Sequence, residues 1–196
     1  MSAMKPTKAA TAKGSSTRLR ILAAARAALI ARDREGLVMR EVAEQCGIRL
    51  GNLQYYFPTT ETLVLAVIEA ESAKDLEMME NAGRDTASPA DALERLVREL
   101  ITRWRGESGP IFAILNQQSL HSDAYRALFK TIYRQHYRVL EAAIDRLVPG
   151  LPPAERAMRA RLLTALIDGS PYQTEIRRKP FTDRIVDQAL AIAREG

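Results

Sequence analysis

Between Cys46 and Pro58 the chain reads CGIRLGNLQYYFP. Its polar side chains match the chemistry of a nucleic-acid groove. Arg49 suits a guanine edge, and Asn52 and Gln54 can each pair bidentately with adenine. A tyrosine hydroxyl such as that of Tyr55 commonly meets phosphate. Arg49, Leu50, Asn52, Gln54 and Tyr55 share one outer helical face, and that face holds no acid.

The charge distribution points the same way. Residues 1–56 carry ten basic and four acidic residues, a net of +6, while the remainder carries 19 and 20, a net of −1. A basic region confined to one part of a chain is the footprint expected for a polyanion partner. Other chemistries have little to build on. The two histidines, His121 and His136, stand too far apart to chelate a metal on one helix turn, and there is one cysteine. No zinc spacing and no glycine-rich phosphate loop occurs. We therefore expect no catalytic residue, no metal and no cofactor. MSAMKPTKAATAKGSS has no apolar core of a signal peptide. No run approaches the roughly 18 apolar residues of a membrane span. A reducing, cytoplasmic setting without membrane contact is the expectation.

These residues need elements to hold them. Residues 1–16 read as a disordered basic arm. A first helix starts at Thr17, with Ile21, Leu22, Ala25, Leu29 and Ile30 at helical spacing and Gly36 closing it. Short helices follow at about Met39 to Cys46 and Leu50 to Tyr56, with Gly47 breaking the first and Pro58 stopping the second. A small residue, Ala43, suits the crossing of the pair, and Gly47 suits a turn with positive φ. Val42, Cys46, Ile48, Leu53 and Tyr56 supply an apolar inner side. Thr59 or Thr60 can cap a long helix bearing Leu63, Val67, Ala70 and Leu76. Ser88-Pro89 opens another, with Leu93, Leu96, Val97, Leu100, Ile101 and Trp104 inward. Further helices are expected at Ile111 to Gln118, Ser122 to Val148, Ala154 to about Asp168, and about Phe181 to Arg194. The fold class is all-α, with about nine helices and no strand.

Helix–glycine–helix alone describes many hairpins. Together with the motif that follows, it resembles the N-terminal DNA-binding domain of the TetR family of bacterial transcriptional regulators. The residues that carry the resemblance are ILAAARAAL and MREVAEQCGIRLGNLQYYFPTTETLVLAVIE, in particular Ala43, Gly47-Ile48, Gly51, Leu53, Tyr55-Tyr56-Phe57-Pro58, Glu61 and Leu63. The resemblance implies a helix-turn-helix domain over 17–58 and a helical effector-binding and dimerisation domain over 59–196. It implies that Arg40 touches phosphate and that Arg49, Leu50, Gly51, Asn52 and Gln54 face bases. Tyr55 and Tyr56 would bind backbone, with Tyr56 partly buried. Two positions depart from the family pattern. Thr60 stands where a lysine is common, leaving the helix N-terminus to meet phosphate. Leu37-Val38 replaces the usual capping Thr or Ser.

The implied function is that of a ligand-responsive regulator, a repressor in the commoner case, binding a palindromic double-stranded operator as a homodimer. A small-molecule effector would release it. A sequence-nonspecific architectural DNA binder is the alternative. The dimer is expected through 154–168 and 181–194, using Leu162, Leu163, Ala165, Leu166, Ile185, Ala189 and Ile192. Trp104, Phe112, Asn116, Gln117, His121, Tyr125, Phe129 and Tyr133 mix aromatic and polar groups as pocket walls do. His136, on the same apolar stripe, reads as a core or interface histidine.

Overall fold

Seven-residue helices are too short to persist alone, so the helices around the CGIRLGNLQYYFP stretch must be held by a neighbour. The computed structural model supplies one. It describes residues 12–84, 86–106, 108–173 and 178–195. Among these the α-helices are α1 (Ala12–Arg32), α2 (Met39–Gln45), α3 (Leu50–Tyr56), α4 (Thr60–Asn81), α5 (Pro89–Arg105), α6 (Ser108–Ser119), α7 (Asp123–Leu147), α8 (Pro153–Gly169) and α9 (Arg178–Glu195). The architecture is all-α with the helix order read from the sequence. Two compact units divide it, one ending at Val67 and one beginning at Ile68.

In the first unit, α1 gives Ile21, Leu22, Ala25 and Leu29 to the core, α2 gives Val42 and Ala43, and α3 gives Leu53. Cys46 and Phe57 close the same core. Ile48 and Tyr56, expected on the inner side, are half-buried at its edge. The Arg20 guanidinium donates to the Cys46 carbonyl, satisfying a backbone acceptor at the end of α2. Arg18 lies over the Phe57 ring at 5.3 Å.

The turns follow local chemistry. Gly47 takes φ +63°, and its N–H bonds to the Glu44 carbonyl at 2.9 Å. Ile48 N–H then reaches the Ala43 carbonyl at 3.0 Å. The end of α1 differs from expectation. It stops at Arg32, and Asp33, not Gly36, adopts the left-handed conformation, at φ 61°. Asp33 Oδ1 accepts from Glu35 N–H at 2.8 Å and Gly36 N–H at 3.2 Å. An aspartate can hold this conformation because its side chain bonds its own backbone. Residues 12–16 are helical, which corrects the expectation of disorder there; residues 1–11 of the expected arm lie outside the described residues. Thr59 is the residue that caps α4, in a reciprocal pair with Thr62: each N–H donates to the other's Oγ1 at 3.1 Å.

The second unit packs α5 against α6, α7, α8 and α9. Ser88 caps α5 by accepting from Asp91 N–H at 3.2 Å, with Pro89 in the first turn. Leu93, Leu96, Val97, Leu100, Ile101 and Trp104 form its buried stripe. Two acids, Glu71 and Asp75, sit one helical turn apart on α4 and are fully buried. Arg103 bonds both; its Nη2 lies 2.9 Å from Glu71. Trp104 Nε1 donates to Asp75 at 2.7 Å, and Ser108 Oγ donates to Glu71 at 2.6 Å. Burial raises the Asp75 carboxyl above its ordinary range, with the Trp104 and Arg103 bonds opposing it. After α8 the backbone tightens into one 3₁₀ turn, Ser170–Tyr172, which contains Pro171. Pro171 thus marks the end of α8 rather than a kink within it.

A β-carbon at Gly47 would meet open space, so only backbone conformation resists substitution there. Gly47→Val places a β-branched residue at positive φ and should destabilise the first unit by about 2 kcal/mol. Urea unfolding monitored by helical circular dichroism measures this. An unchanged midpoint would contradict the assignment of the turn.

Candidate nucleic-acid interface and helical-unit cavities

The turn at Gly47 fixes which side of α3 meets solvent. Leu53 points into the core, so residues on the other side are presented outward. Gly51, Asn52 and Gln54 are exposed, and Tyr55 is 82% exposed. Leu50 and Tyr56 are half-buried, and Arg49 is exposed at the N-cap. The two tyrosine rings stand edge to face, centroids 5.4 Å apart, which steadies the outward ring. The helix itself, LGNLQYY, carries no charged side chain. Its face can therefore approach a polyanion without acid repulsion and offers amide, guanidinium and phenol groups to base edges and phosphates.

Arg40 is exposed in the first turn of α2. Val38, the N-cap of α2, makes no side-chain bond, as the loss of Thr or Ser there implied. Thr60 is half-buried as the first residue of α4, followed by Glu61 in the first turn. Arg32 bonds Glu41 at 2.7 Å, with both side chains about half exposed, so the pair adds little stability.

In the second unit, the expected pocket residues separate. Trp104, Phe112 and Asn116 line a cavity of about 260 Å3, together with Arg105, Asp168 and Tyr172. Tyr133 is buried, and its hydroxyl donates to Asp168 Oδ2 at 2.8 Å beside Asn116 Oδ1 at 3.3 Å. Phe129 stacks on Tyr133 at 4.0 Å and lines a separate surface groove. Tyr125 is wholly in the core. Gln117 and His121 are exposed and line none of these cavities. Gln117 lies about 100° around α6 from Asn116, and His121 falls in the turn after that helix ends. A larger groove of about 600 Å3 lies between α4, α5 and α7, lined by Met79, Leu96, Val139 and Arg146 among others.

Sequence reasoning missed Arg105 and Asp168. The signal for Asp168 was an acid following directly on the apolar run LLTALI, next to the buried Ile167. Arg105 donates to the Ser170 carbonyl through Nη2 at 3.2 Å and lies over the Phe181 ring at 5.0 Å. His136 is 2% exposed, among the rings of Trp104, Phe112 and Tyr133. This is the core position expected of it.

The expected dimer residues also separate. Leu163, Ile185 and Ala189 are buried inside the protomer and cannot present a surface. Ala160 and Ile167 join Leu163 on the inward side of α8. Leu162 is 45% and Met158 55% exposed, one turn apart on the other side. Ala165 is exposed too, and Leu166 and Ile192 are half-buried.

Residues 21–67 match the family model of bacterial regulatory proteins of the tetR family. The matched segment holds α2, the Gly47 turn and α3, so this unit is similar to the helix-turn-helix head of that family. The fold of the whole described chain agrees with solved structures of that family. A TetR transcription regulator from Haloarcula marismortui superposes with TM-score 0.76 at 18% identity, covering 91% of this chain and 97% of its own. A bacterial regulatory protein of the tetR family from Rhodococcus RHA1 gives TM-score 0.69 at 19% identity, covering 90% and 96%. AibR, solved in complex with isovaleryl coenzyme A and operator DNA, gives TM-score 0.66 at 20% identity, covering 90% and 97%. No curated protein matches the sequence. Among the described residues, no helix is long and apolar enough to cross a membrane.

Two buried groups give the second unit opposed responses to pH. Burial pushes the Asp168 carboxyl up from 3.8 to about 7, against the Tyr133 bond, which lowers it. Burial draws His136 down from 6.5 to about 4. Between pH 4 and 7 the folded chain holds a proton on Asp168 that the unfolded chain has lost, so this contribution to stability falls as pH rises. Between pH 4 and 6.5 the unfolded chain protonates His136 and the folded chain does not, so that contribution rises with pH. Relative to the parent protein, Asp168→Asn should therefore gain stability with rising pH, and His136→Phe should lose it. Each difference should reach a few kcal/mol at most. Urea melts at stepped pH measure both, and curves parallel to the parent's would contradict the shifts.

Proposed function

We propose that this protein is a cytoplasmic, ligand-responsive transcriptional repressor. Two copies form a homodimer, and their α3 helices read the half-sites of a palindromic operator. The observation that carries the reading is the exposed, acid-free face of α3, set by the Gly47 turn within the segment that matches the tetR family. Arg40 and Tyr55 hold phosphate, and Tyr56 adds a backbone contact from the edge of the core. Arg49, Leu50, Gly51, Asn52 and Gln54 meet base edges, and the N-terminus of α4 at Thr60 meets phosphate through its N–H groups.

One α3 buries too little surface for tight specific binding, and a two-fold pair spaced by a helical turn of DNA doubles it. The outward side of α8, with Met158, Leu162 and Ala165, supports pairing of two copies, together with Leu166 and Ile192. A helix with apolar residues on both sides needs two partners. The cavities of the second unit support an effector, as does AibR's complex with a coenzyme A thioester and DNA. An effector that binds the DNA-competent and incompetent dimers unequally shifts the population and releases the operator.

Affinity selection of sheared genomic DNA at about 0.15 M salt tests the reading, since nonspecific binding is weak there. Recovery of a few fragments sharing a palindrome is expected. Indiscriminate recovery would favour the architectural alternative. Within a recovered site, Gln54→Ala should cost about 1–3 kcal/mol of discrimination at one position. Unchanged preference across a randomised site would remove Gln54 from the base readers. In sedimentation equilibrium, Leu162→Asp should weaken self-association by ~10-fold or more; a parent protein that is already monomeric would refute the dimer.

A further inference from the structure

The cations of the second unit are unevenly paired. Arg98, Arg103, Arg126, Arg156 and Arg159 each hold an acid. Lys130, Arg134, Arg138 and Arg161 hold none among the described residues, and these four line one surface groove of about 300 Å3 between α7 and α8. The bonds that Arg138 and Arg161 do make go to carbonyls of their own helices, Arg134 at 3.4 Å and Ala157 at 2.8 Å. Glu141 is the one acid of the lining, so the groove carries four cations against one anion, a net of +3. Residues 57–196 as a whole carry −1.

Sequence spacing builds the groove. Lys130, Arg134 and Arg138 recur every four residues and form a cationic row along α7. Phe129, Tyr133 and Tyr137 recur at the same interval one residue earlier, so an aromatic row runs beside it. Phe129 stacks on Tyr133 at 4.0 Å, and both Phe129 and Tyr137 are half-buried, so the rings form a floor with some face still open. The Tyr133 hydroxyl is engaged by Asp168, which leaves this tyrosine only its ring to offer. Arg161 enters from α8 with its guanidinium 5.0 Å over the Tyr137 ring, which turns it toward α7. Most charged helix faces are simply solvated. Here, however, like charges stand one turn apart and repel, and no acid lies three or four residues from Lys130 or Arg134 to relieve them. An anion in the groove removes that repulsion.

We propose that this groove binds a nucleotide, with the base against the Phe129 and Tyr137 rings and a di- or triphosphate across Lys130, Arg134 and Arg161. Guanidinium forks match phosphate oxygens, and a row of cations beside aromatic rings is the usual way to hold phosphate and base together without reading sequence. A single phosphate, at about −2, leaves part of the +3 unanswered, whereas a di- or triphosphate meets it. The volume of about 300 Å3 is that of a small-ligand site, and an extended acidic partner lying across the helices would leave the recessed rings unused.

The site goes beyond the operator and effector reading and is independent of it. Its test needs no DNA, so each can fail without the other. The full-length protein is titrated in a calorimeter with adenosine diphosphate, adenosine monophosphate, adenosine and pyrophosphate, at about 0.1 M salt without divalent cations. Adenosine diphosphate should bind saturably, about five-fold or more tighter than pyrophosphate, which lacks the ring. The monophosphate should bind more weakly than the diphosphate, and adenosine most weakly. The basic first unit also attracts anions, so paired variants separate the two places. Lys130→Ala with Arg134→Ala should weaken the diphosphate about ten-fold, while Arg40→Ala with Arg49→Ala should leave its affinity unchanged. Tyr137→Leu should bring the diphosphate toward pyrophosphate and leave pyrophosphate itself unmoved. The proposal is overturned if the diphosphate does not bind, if pyrophosphate binds as tightly, or if the Arg40 and Arg49 pair rather than the Lys130 and Arg134 pair carries the binding. All four replaced cations are exposed and hold no buried contact, and helical circular dichroism checks that each variant folds.

Discussion

A seven-residue helix has no stability of its own, and everything the first unit presents depends on overcoming that. The chain does so with one glycine and one buried leucine. Gly47 at positive φ folds α2 back so that α3 can lay Leu53 into the core built by α1. A β-branched residue at Gly47 would work against that turn, and a polar residue at 53 would remove the anchor. Because Leu53 fixes the rotation of α3, it also fixes which of its neighbours face outward. The outward face of α3 is thus a consequence of core packing: Asn52, Gln54 and Tyr55 are exposed because Leu53 is not.

The second unit meets a different constraint, since it buries ionisable groups among apolar helices. Glu71 and Asp75 are held by Arg103, Trp104 and Ser108, a set in which both acids are bonded more than once. Removal of Arg103 would leave Asp75 without its cation and Glu71 with Lys74, at 3.4 Å, a far larger penalty than the cluster's net contribution when intact. Asp168 has a neutral partner, Tyr133, and no cation bonded to it among the described residues, so burial dominates and its carboxyl holds a proton to near neutral pH. The same element, α5, therefore ends with one satisfied guanidinium, Arg103, and one half-satisfied guanidinium, Arg105.

Much of this was legible in the sequence, and the reasons differ by element. Gly47 was readable because positive φ at a break between two short apolar patterns has few solutions. Ser88-Pro89 was readable because a hydroxyl cap and a first-turn proline are local signals. Gly36 misled for the same locality: a glycine is the common helix stop, yet Asp33 three residues earlier bonds the backbone with its own side chain and stops α1 first. Long-range pairing left no such trace. Nothing local to Glu71 and Asp75 marks them as buried; only Arg103 and Trp104, distant in the chain, do so once the fold brings them together. Gln117 and His121 were grouped with pocket residues by composition alone; helical phase turns Gln117 outward, and His121 lies in the turn beyond α6.

The α8 stripe illustrates the limit most sharply. Leu162, Leu163, Ala165 and Leu166 are contiguous apolar residues that periodicity cannot divide, because an all-round apolar helix has no preferred face. Only the position of the neighbouring helices decides that Leu163 belongs inside and Leu162 outside. Once divided, the outer set gains meaning. Met158 and Leu162 recur one turn apart, so they form a ridge rather than scattered apolar contacts. In the dimer proposed above, a second copy of the same helix would supply the matching ridge by symmetry. The inner set, Ala160, Leu163 and Ile167, ends at Asp168 on the cavity wall. One helix thus carries both an outward apolar side and a residue of the cavity wall.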